Sequence, residues 1–366
     1  MPGPLEGIRV VSIEQAVAAP FCTARLADAG AEVLKIERPE GDFARGYDDV
    51  AKGQSSYFVW LNRGKTSITI DLASDDGRAH LSRLLREADV LVQNLKHGAL
   101  ERLGFGFDYL QKEFPRLIVC SITGYGEDGP MADRKAYDLL VQAESGLCSI
   151  TGGPNEPARV GISVVDIATG ATAHAAVLEA LIRRNATGRG ARISVSMFDV
   201  MAEWLTVPLL NHEGGKSPKR IGLAHPSIAP YGVFTSRDGI QILLSIQSDR
   251  EWRSLCRHFL EEPELGEDPN FSTNVSRVSN RDETDARVGE GFARRDAEEA
   301  VEALLRADVA FAKVNDMAGL SAHPHLRRIA IETPGGTVNL PAPAPVWDES
   351  EVRHYGPVPQ LNPREA

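Results

Sequence analysis

Cysteine is scarce. Cys22, Cys120, Cys148 and Cys256 are the four in the chain, widely spaced among apolar neighbours and without a Cys-x-x-Cys pair. That spacing excludes a disulfide scaffold and a thiolate metal site, and predicts reduced core thiols in a cytosolic protein. Basic residues are outnumbered, 40 Lys plus Arg against 51 Asp plus Glu. The resulting formal charge of -11 argues against nonspecific nucleic-acid binding and leaves room for a local basic pocket. No apolar run approaches membrane-spanning length, and no basic N-terminal stretch leads into one, so a soluble, cytoplasmic protein with no membrane partner is expected. Internal repeats and low-complexity tracts are missing as well. What is present, 42% hydrophobic and 25% charged residues over 366 positions, is ordinary globular composition in a chain too long for one core.

Short β-branched runs alternate with helical patterns through the first half. Ile8–Ile13, Glu32–Glu37, Ser67–Leu72, Val90–Gln93, Leu117–Ile122 and Ala191–Ser196 read as strands. Pro20–Ala29, Asp75–Ala88, Leu100–Phe114 and Tyr137–Leu147 read as helices, which predicts a parallel sheet covered on both faces. A long apolar helix, Met197–His212, then runs into the polar breaker Glu213–Lys219. Beyond it, Tyr231–Thr235 and Ile240–Ser245 form a hairpin pattern, with helices at Asp249–Phe259, Arg281–Ala293 and Ala297–Ala307. The expected architecture is α/β: a large domain with an open, mostly parallel Rossmann-like sheet over 1–200, a linker at 201–224, a smaller α+β domain over 225–315, and a return segment over 316–366 packing on the large domain or on a partner chain.

One carboxylate stands apart. Asp166 closes the apolar run Gly161-Ile162-Ser163-Val164-Val165 and opens a helical segment, Ile167–Arg184, with no further acid until Glu179. Between a buried strand and a helix start it would face the positive end of the helix dipole. Two readings stay open: an N-cap without chemistry, or a functional carboxylate.

Other motifs weigh less. Gly124-Tyr-Gly-Glu-Asp-Gly129 matches a dinucleotide fingerprint letter for letter, yet Pro130 follows it and acids sit inside it, so it reads as a turn-rich loop. Arg38 and Asn94 end consecutive strands and Arg102 follows in the next helical segment, where open α/β sheets receive ligands. Together they favour a phosphate-bearing ligand, although any one of them reads as a solvated surface side chain. His323 and His325 flank Pro324 without a nearby third ligand and read as a loop; no metal is expected. Ser121 and Ser149 lack a triad context. His174 lies eight residues beyond Asp166, about 12 Å along a helix, and reads as a packing residue.

Several segments taken in order resemble the class III CoA-transferases, the group that includes formyl-CoA transferase and carnitine CoA-transferase. They are Pro4-Leu-Glu-Gly-Ile-Arg-Val10, Gly30–Pro39 with Gly41-Asp42, Asn62-Arg-Gly-Lys65 with Asp71-Leu72, and Asn94 with Gly98–Gly104. Gly124–Pro130, Ala136-Tyr-Asp138, Val165–Gly170 and Gly188-Arg-Gly190 complete the set. The resemblance implies that Asp166 is a nucleophile attacking an acyl-CoA thioester, with an aspartyl anhydride and then an aspartyl-CoA thioester as intermediates. It implies coenzyme A thioester as substrate and no tightly bound cofactor. It places Val17, Ala18, Arg38, Asp71, Leu72, Ala73, Asn94, Arg102, Lys135, Ala136, Tyr137 and Asp138 at CoA-contacting positions, and implies an interlocked homodimer. The segment Gly222–Tyr231 is similar to that of transferases acting on small dicarboxylates, which implies succinyl-CoA as donor.

The chain departs from the family pattern in three places. Val17, with Gln15 two residues earlier, stands where formyl-CoA transferase has a substrate-contacting Gln; no four-glycine loop occurs in the smaller domain; and the chain ends at Gln360–Ala366 without the family's C-terminal helix. Two rivals share the expected fold. An α-methylacyl-CoA racemase would pair Asp166 with a His, but Tyr137 stands there, and a phenol titrating near pH ~10 is a poor base at neutrality. A noncatalytic acyl-CoA-binding protein would keep the pocket without the chemistry.

Overall fold

The computed structural model describes residues 3–347 and 354–361, so the expected return segment lies partly outside the described residues. Two compact units emerge, one formed by 1–148, 159–210 and 327–366, the other by 149–158 and 211–326.

The first unit begins with β1 (Arg9–Ile13), α1 (Ala18–Asp28), β2 (Glu32–Glu37), α2 (Ser56–Asn62), β3 (Lys65–Thr69), α3 (Asp75–Glu87) and β4 (Val90–Gln93). It continues through α4 (Ala99–Arg102), α5 (Phe107–Glu113), β5 (Ile118–Thr123), α6 (Asp138–Glu144), α7 (Leu147–Ile150), α8 (Val164–Thr187), β6 (Ala191–Ser196), α9 (Met197–Trp204) and α10 (Thr206–Glu213). The strands form one six-stranded sheet in the order β3-β2-β1-β4-β5-β6, every neighbouring pair parallel. Alternation along the strands splits the core in two. Val10, Val33, Val92 and Cys120 meet α1 and α8 on one face, while Val11, Ile36, Leu91 and Val119 meet α3 and α5 on the other. The chain reverses direction across the sheet between β1 and β4, and the crevice at the carboxyl ends of those strands is where such sheets receive ligands.

Several boundaries differ from the sequence reading, each for a physical reason. Gly161–Val165 is not a strand: α8 already starts at Val164, because its first amides are capped from elsewhere in the chain. Leu100–Phe114 breaks into α4 and α5 around Gly104, whose φ is 88°. Met197–His212 breaks at Leu205, since Pro208 brings no N–H for the carbonyl of Trp204. β3 ends at Thr69 rather than Leu72, where Asp71 accepts from Ala73 N–H and turns the chain into α3. Although α8 is long and apolar enough to cross a membrane, it packs in the core through Val165, Ala173 and Val177.

The second unit holds an antiparallel sheet, β7 (Tyr231–Thr235), β8 (Gln241–Ser245) and, after α11 (Asp249–Leu255), α12 (Asn274–Ser279), α13 (Arg281–Ala293) and α14 (Ala297–Ala307), β9 (Ala310–Lys313). α15 (Met317–Ser321) follows. The predicted helix Asp249–Phe259 ends at Leu255 and passes into a π turn over Cys256–Leu260. Trp252, Phe259 and Phe292 fill this unit's core. Asn274, Arg277 and Arg281 clamp the backbone of His225–Ala229 through its carbonyls and one amide.

Chain division also differs from expectation. Residues 149–158 and 316–326 join the second unit and 201–210 the first. The return segment contributes a hairpin of β10 (Arg328–Thr333) and β11 (Gly336–Pro341) to the first unit. Its Ile331, with Val358, closes a small core on Phe58 and Val59 of α2.

Candidate active site

Asp166 is the third residue of α8, not its cap. Ser163 occupies the cap position without a side-chain hydrogen bond. Capping comes instead from α6: Asp138 Oδ1 accepts from the N–H groups of Val165 at 2.8 Å and Asp166 at 3.2 Å, and its Oδ2 accepts from Gln142 Nε2 at 2.7 Å. A carboxylate from another helix thus satisfies the amides that a local Ser or Asp would ordinarily take. α8 runs from β5 to β6 and α1 from β1 to β2, all parallel strands, so both helices start at the carboxyl edge of the sheet. They pack closely there because residue 170 is glycine; a Cβ at Gly170 would stand 2.4 Å from the Ala18 carbonyl oxygen.

Burial, and then the nearby negative charge of Asp138, raise the Asp166 carboxyl to about 7. Tyr47 shares this environment: its hydroxyl is pushed up to about 12 by burial, then by the charges of Asp42 and Asp166, with Tyr137 contributing. Tyr47 also belongs to a chain of edge-to-face and tilted rings, Phe43–Tyr47–Tyr57–Trp60–Phe21, and Phe21 lies against Gly170. None of these aromatics was singled out from sequence. Their spacing, Tyr47 to Tyr57 to Trp60 across a turn and into α2, was the available signal.

The positions matched by resemblance fall into three groups. Arg38, Asp71, Leu72 and Ala73 line one cleft at the ends of β2 and β3, which Gln15 and Gly41 also line. Arg38 is exposed and Asp71 Oδ1 is engaged by Ala73 N–H. Asn94 stitches the switch point: its Oδ1 accepts from Gln15 N–H at 3.0 Å and its Nδ2 donates to the Gln15 carbonyl at 2.9 Å. Val17 and Ala18 are buried at the start of α1, while Asp138 meets Asp166 from the first residue of α6 and Tyr137, just before it, is exposed. Ala136 packs where a side chain on Gly124 would stand, which fixes the Gly124–Gly129 segment as a loop. Arg102 and Lys135 stand apart and exposed; Arg102 folds back on the His97 carbonyl.

His174 is pushed down to about 4 by burial and then by Arg25, so it stays neutral on the flank of α8. His323 Nδ1 accepts from His325 N–H in a local turn. Among the described residues no group of three or more His, Cys, Asp or Glu is placed to hold a metal ion.

A half-buried carboxylate of raised pKa at the carboxyl edge of a parallel sheet marks a candidate functional site. The chain belongs to CoA-transferase family III, which matches residues 5–364. Succinate–glutarate CoA-transferase of Agrobacterium fabrum is 34% identical over 99% of this chain and 94% of its own length. Acetyl-CoA:oxalate CoA-transferase of Acetobacter aceti is 36% identical over 93% of this chain and 88% of its own. The crystal structure of a CaiB/BaiF family protein from Brucella suis, 34% identical, superposes with a TM-score of 0.85 over 99% of this chain and 97% of that one. The protein is therefore a CoA-transferase, acting on acyl-CoA and carboxylic acid substrates.

Proposed function

We propose that Asp166 is the nucleophile of this transferase and that it carries CoA covalently between donor and acceptor. An Asp166 oxygen attacks the donor thioester carbonyl, the C–S bond breaks, and CoA thiolate leaves a mixed anhydride. The thiolate then attacks Asp166 Cγ, releasing the donor acid and forming an aspartyl-CoA thioester. An incoming carboxylate attacks the same Cγ, expels the thiolate and forms a second anhydride. Attack of the thiolate on the acceptor's acyl carbon gives the new acyl-CoA and restores the carboxylate. No proton is gained or lost over the cycle.

The observation that carries this reading is the placement of Asp166 in the first turn of α8, half-buried with Asp138 against its amide, which raises its carboxyl to about 7. Burial that penalises the anion favours the uncharged anhydride and thioester that replace it. Arg38, the Asp71–Ala73 backbone, Asn94, Arg102 and Lys135 are proposed to receive the CoA nucleotide, with Val17, Ala18 and Ala136–Asp138 nearer the thioester. We take succinyl-CoA as donor and a small dicarboxylic acid as acceptor, supported by the Agrobacterium relative and the Gly222–Tyr231 segment. An interlocked homodimer is supported by exposed apolar residues on α6, α9 and α10, and a cytoplasmic setting by cysteines that are all free.

Hydroxylamine added to protein and succinyl-CoA tests the chemistry. The expected result is a hydroxamate mass shift on Asp166, abolished in Asp166→Asn together with transfer. CoA binding without an adduct at this residue would support a noncatalytic binding protein, and inversion of a 2-methylacyl-CoA without acceptor would support a racemase.

A further inference from the structure

Three acids and three bases meet beneath the turn that follows β1, and the side chains of Glu14, Lys35, Asp42 and Lys65 have no solvent exposure at all. Lys65 Nζ reaches Glu14 Oε1 at 2.6 Å, and the other Glu14 oxygen accepts from Thr23 Oγ1 at 2.6 Å. Lys35 Nζ donates to Asp42 Oδ2 at 2.7 Å and to Asn62 Oδ1 at 3.1 Å. Glu37 accepts from Arg45, from Ser67 Oγ and from Asp42 N–H, while Arg45 Nη1 also reaches the Pro359 carbonyl at 3.3 Å. Buried ion pairs contribute little net stability compared with apolar packing of equal volume, so stability alone is a weak reason for this arrangement.

Its geometry supplies another reason. The remaining oxygen of Asp42, Oδ1, accepts from the N–H groups of Ala44 at 2.9 Å and Ala16 at 3.2 Å. Ala16 is held at φ 63°, a left-handed conformation uncommon for a residue with a side chain. Two residues later α1 begins, and the Ala18 carbonyl touches Gly170, one helical turn from Asp166. Asp42 and Asp166 also act on the same Tyr47 hydroxyl.

We infer that Asp42 is a positioning residue for acyl transfer: clamped by Lys35 and cradled by Glu37, it holds the left-handed turn at Ala16 and so sets where the start of α1 stands beside Asp166. The inference rests on Asp166 being the nucleophile. Single-turnover acylation of the full-length enzyme by succinyl-CoA, read as the trapped Asp166 adduct, tests it in Ala16→Gly, Asp42→Asn and the double variant Lys35→Met with Asp42→Asn. Asp42→Asn is expected to acylate roughly tenfold to a hundredfold more slowly, as small displacements of reacting groups do, at an unchanged half-saturating succinyl-CoA concentration, while Ala16→Gly, in which glycine accepts the left-handed φ without strain, keeps the turn and the parental rate. The double variant, which removes both buried charges, is expected to regain melting temperature lost by Asp42→Asn yet remain slow. Parental rates in Asp42→Asn, a loss confined to half-saturation, or a double variant that regains rate along with melting temperature would each overturn it. Should Asp42→Asn fold poorly, the double variant decides alone, since Lys35→Met leaves no lysine charge buried opposite the amide. No adduct in the parental enzyme would overturn the nucleophile reading and this inference with it; an adduct forming equally fast in every variant overturns only the positioning.

Discussion

The environment of Asp166 costs the folded protein something that its chemistry uses. Its carboxyl titrates at about 7 in the fold, against 3.8 for an ordinary Asp. Below the unfolded value both states bind the proton and no penalty exists. As pH rises from about 4 toward 7 the unfolded chain ionises first, and stability is lost until both states are ionised. Asp166→Asn should therefore melt higher than the parental protein at pH 8, with the difference shrinking steadily to nothing near pH 4 (approximate limits set by the two pKa values). Melting curves of the two proteins across that range check this, and an Asn variant less stable at pH 8 would count against a desolvated carboxylate. In the proposed mechanism only the anion attacks, so acylation should rise with pH around a midpoint near 7.

Helix α8 shows why an element can be found in sequence while its start is not. Its apolar periodicity made the body of the helix legible, as β-branched runs did for the parallel strands, several to the residue. The cap was illegible because the capping carboxylate lies 27 residues away from the first amide that it accepts. Likewise Val33-Leu34-Lys35-Ile36-Glu37 alternates as a strand with one solvated face would, and nothing local reveals that Lys35 and Glu37 are buried. Asp138→Asn removes one charge from the neighbourhood of Asp166 and weakens the cap. The acylation midpoint should fall below that of the parental enzyme, and stability should drop by about 1 kcal/mol, the ordinary value of a cap. A midpoint that rises instead would mean that Asp138 does not act on Asp166 as a charge. Gly170→Ala probes the other contact. A methyl group 2.4 Å from the Ala18 oxygen forces α1 and α8 apart, at a cost of roughly 1–3 kcal/mol, and acylation should slow with it.

At the scale of the whole molecule, the family's motif residues divide between chemistry and architecture. Asn94, Asp42 and Lys65 are occupied in holding the first unit together, so their recurrence in a family pattern reports the loop geometry as much as ligand contact. Apolar surface gives the opposite signal, because among the described residues nothing covers it. On α9 and α10, Trp204 is 58% exposed, Val207 67% and Leu210 60%, and on the adjoining α6 Leu139 and Leu140 are 44% and 51% exposed. Side chains of this size gain on the order of 1.5–3 kcal/mol each when fully buried, and contiguous patches of them mark association surfaces. A second copy of the chain is the occupant that the homodimer reading requires. Replacing Val207 and Leu210 together with Asp puts two charges on this face without touching the sheet or Asp166. Light scattering coupled to size exclusion should then show a shift from dimer toward monomer, with far-ultraviolet circular dichroism unchanged. Transfer activity should fall with the dimer fraction and recover as protein concentration rises, whereas a fully active monomer would remove the homodimer from the account of the site.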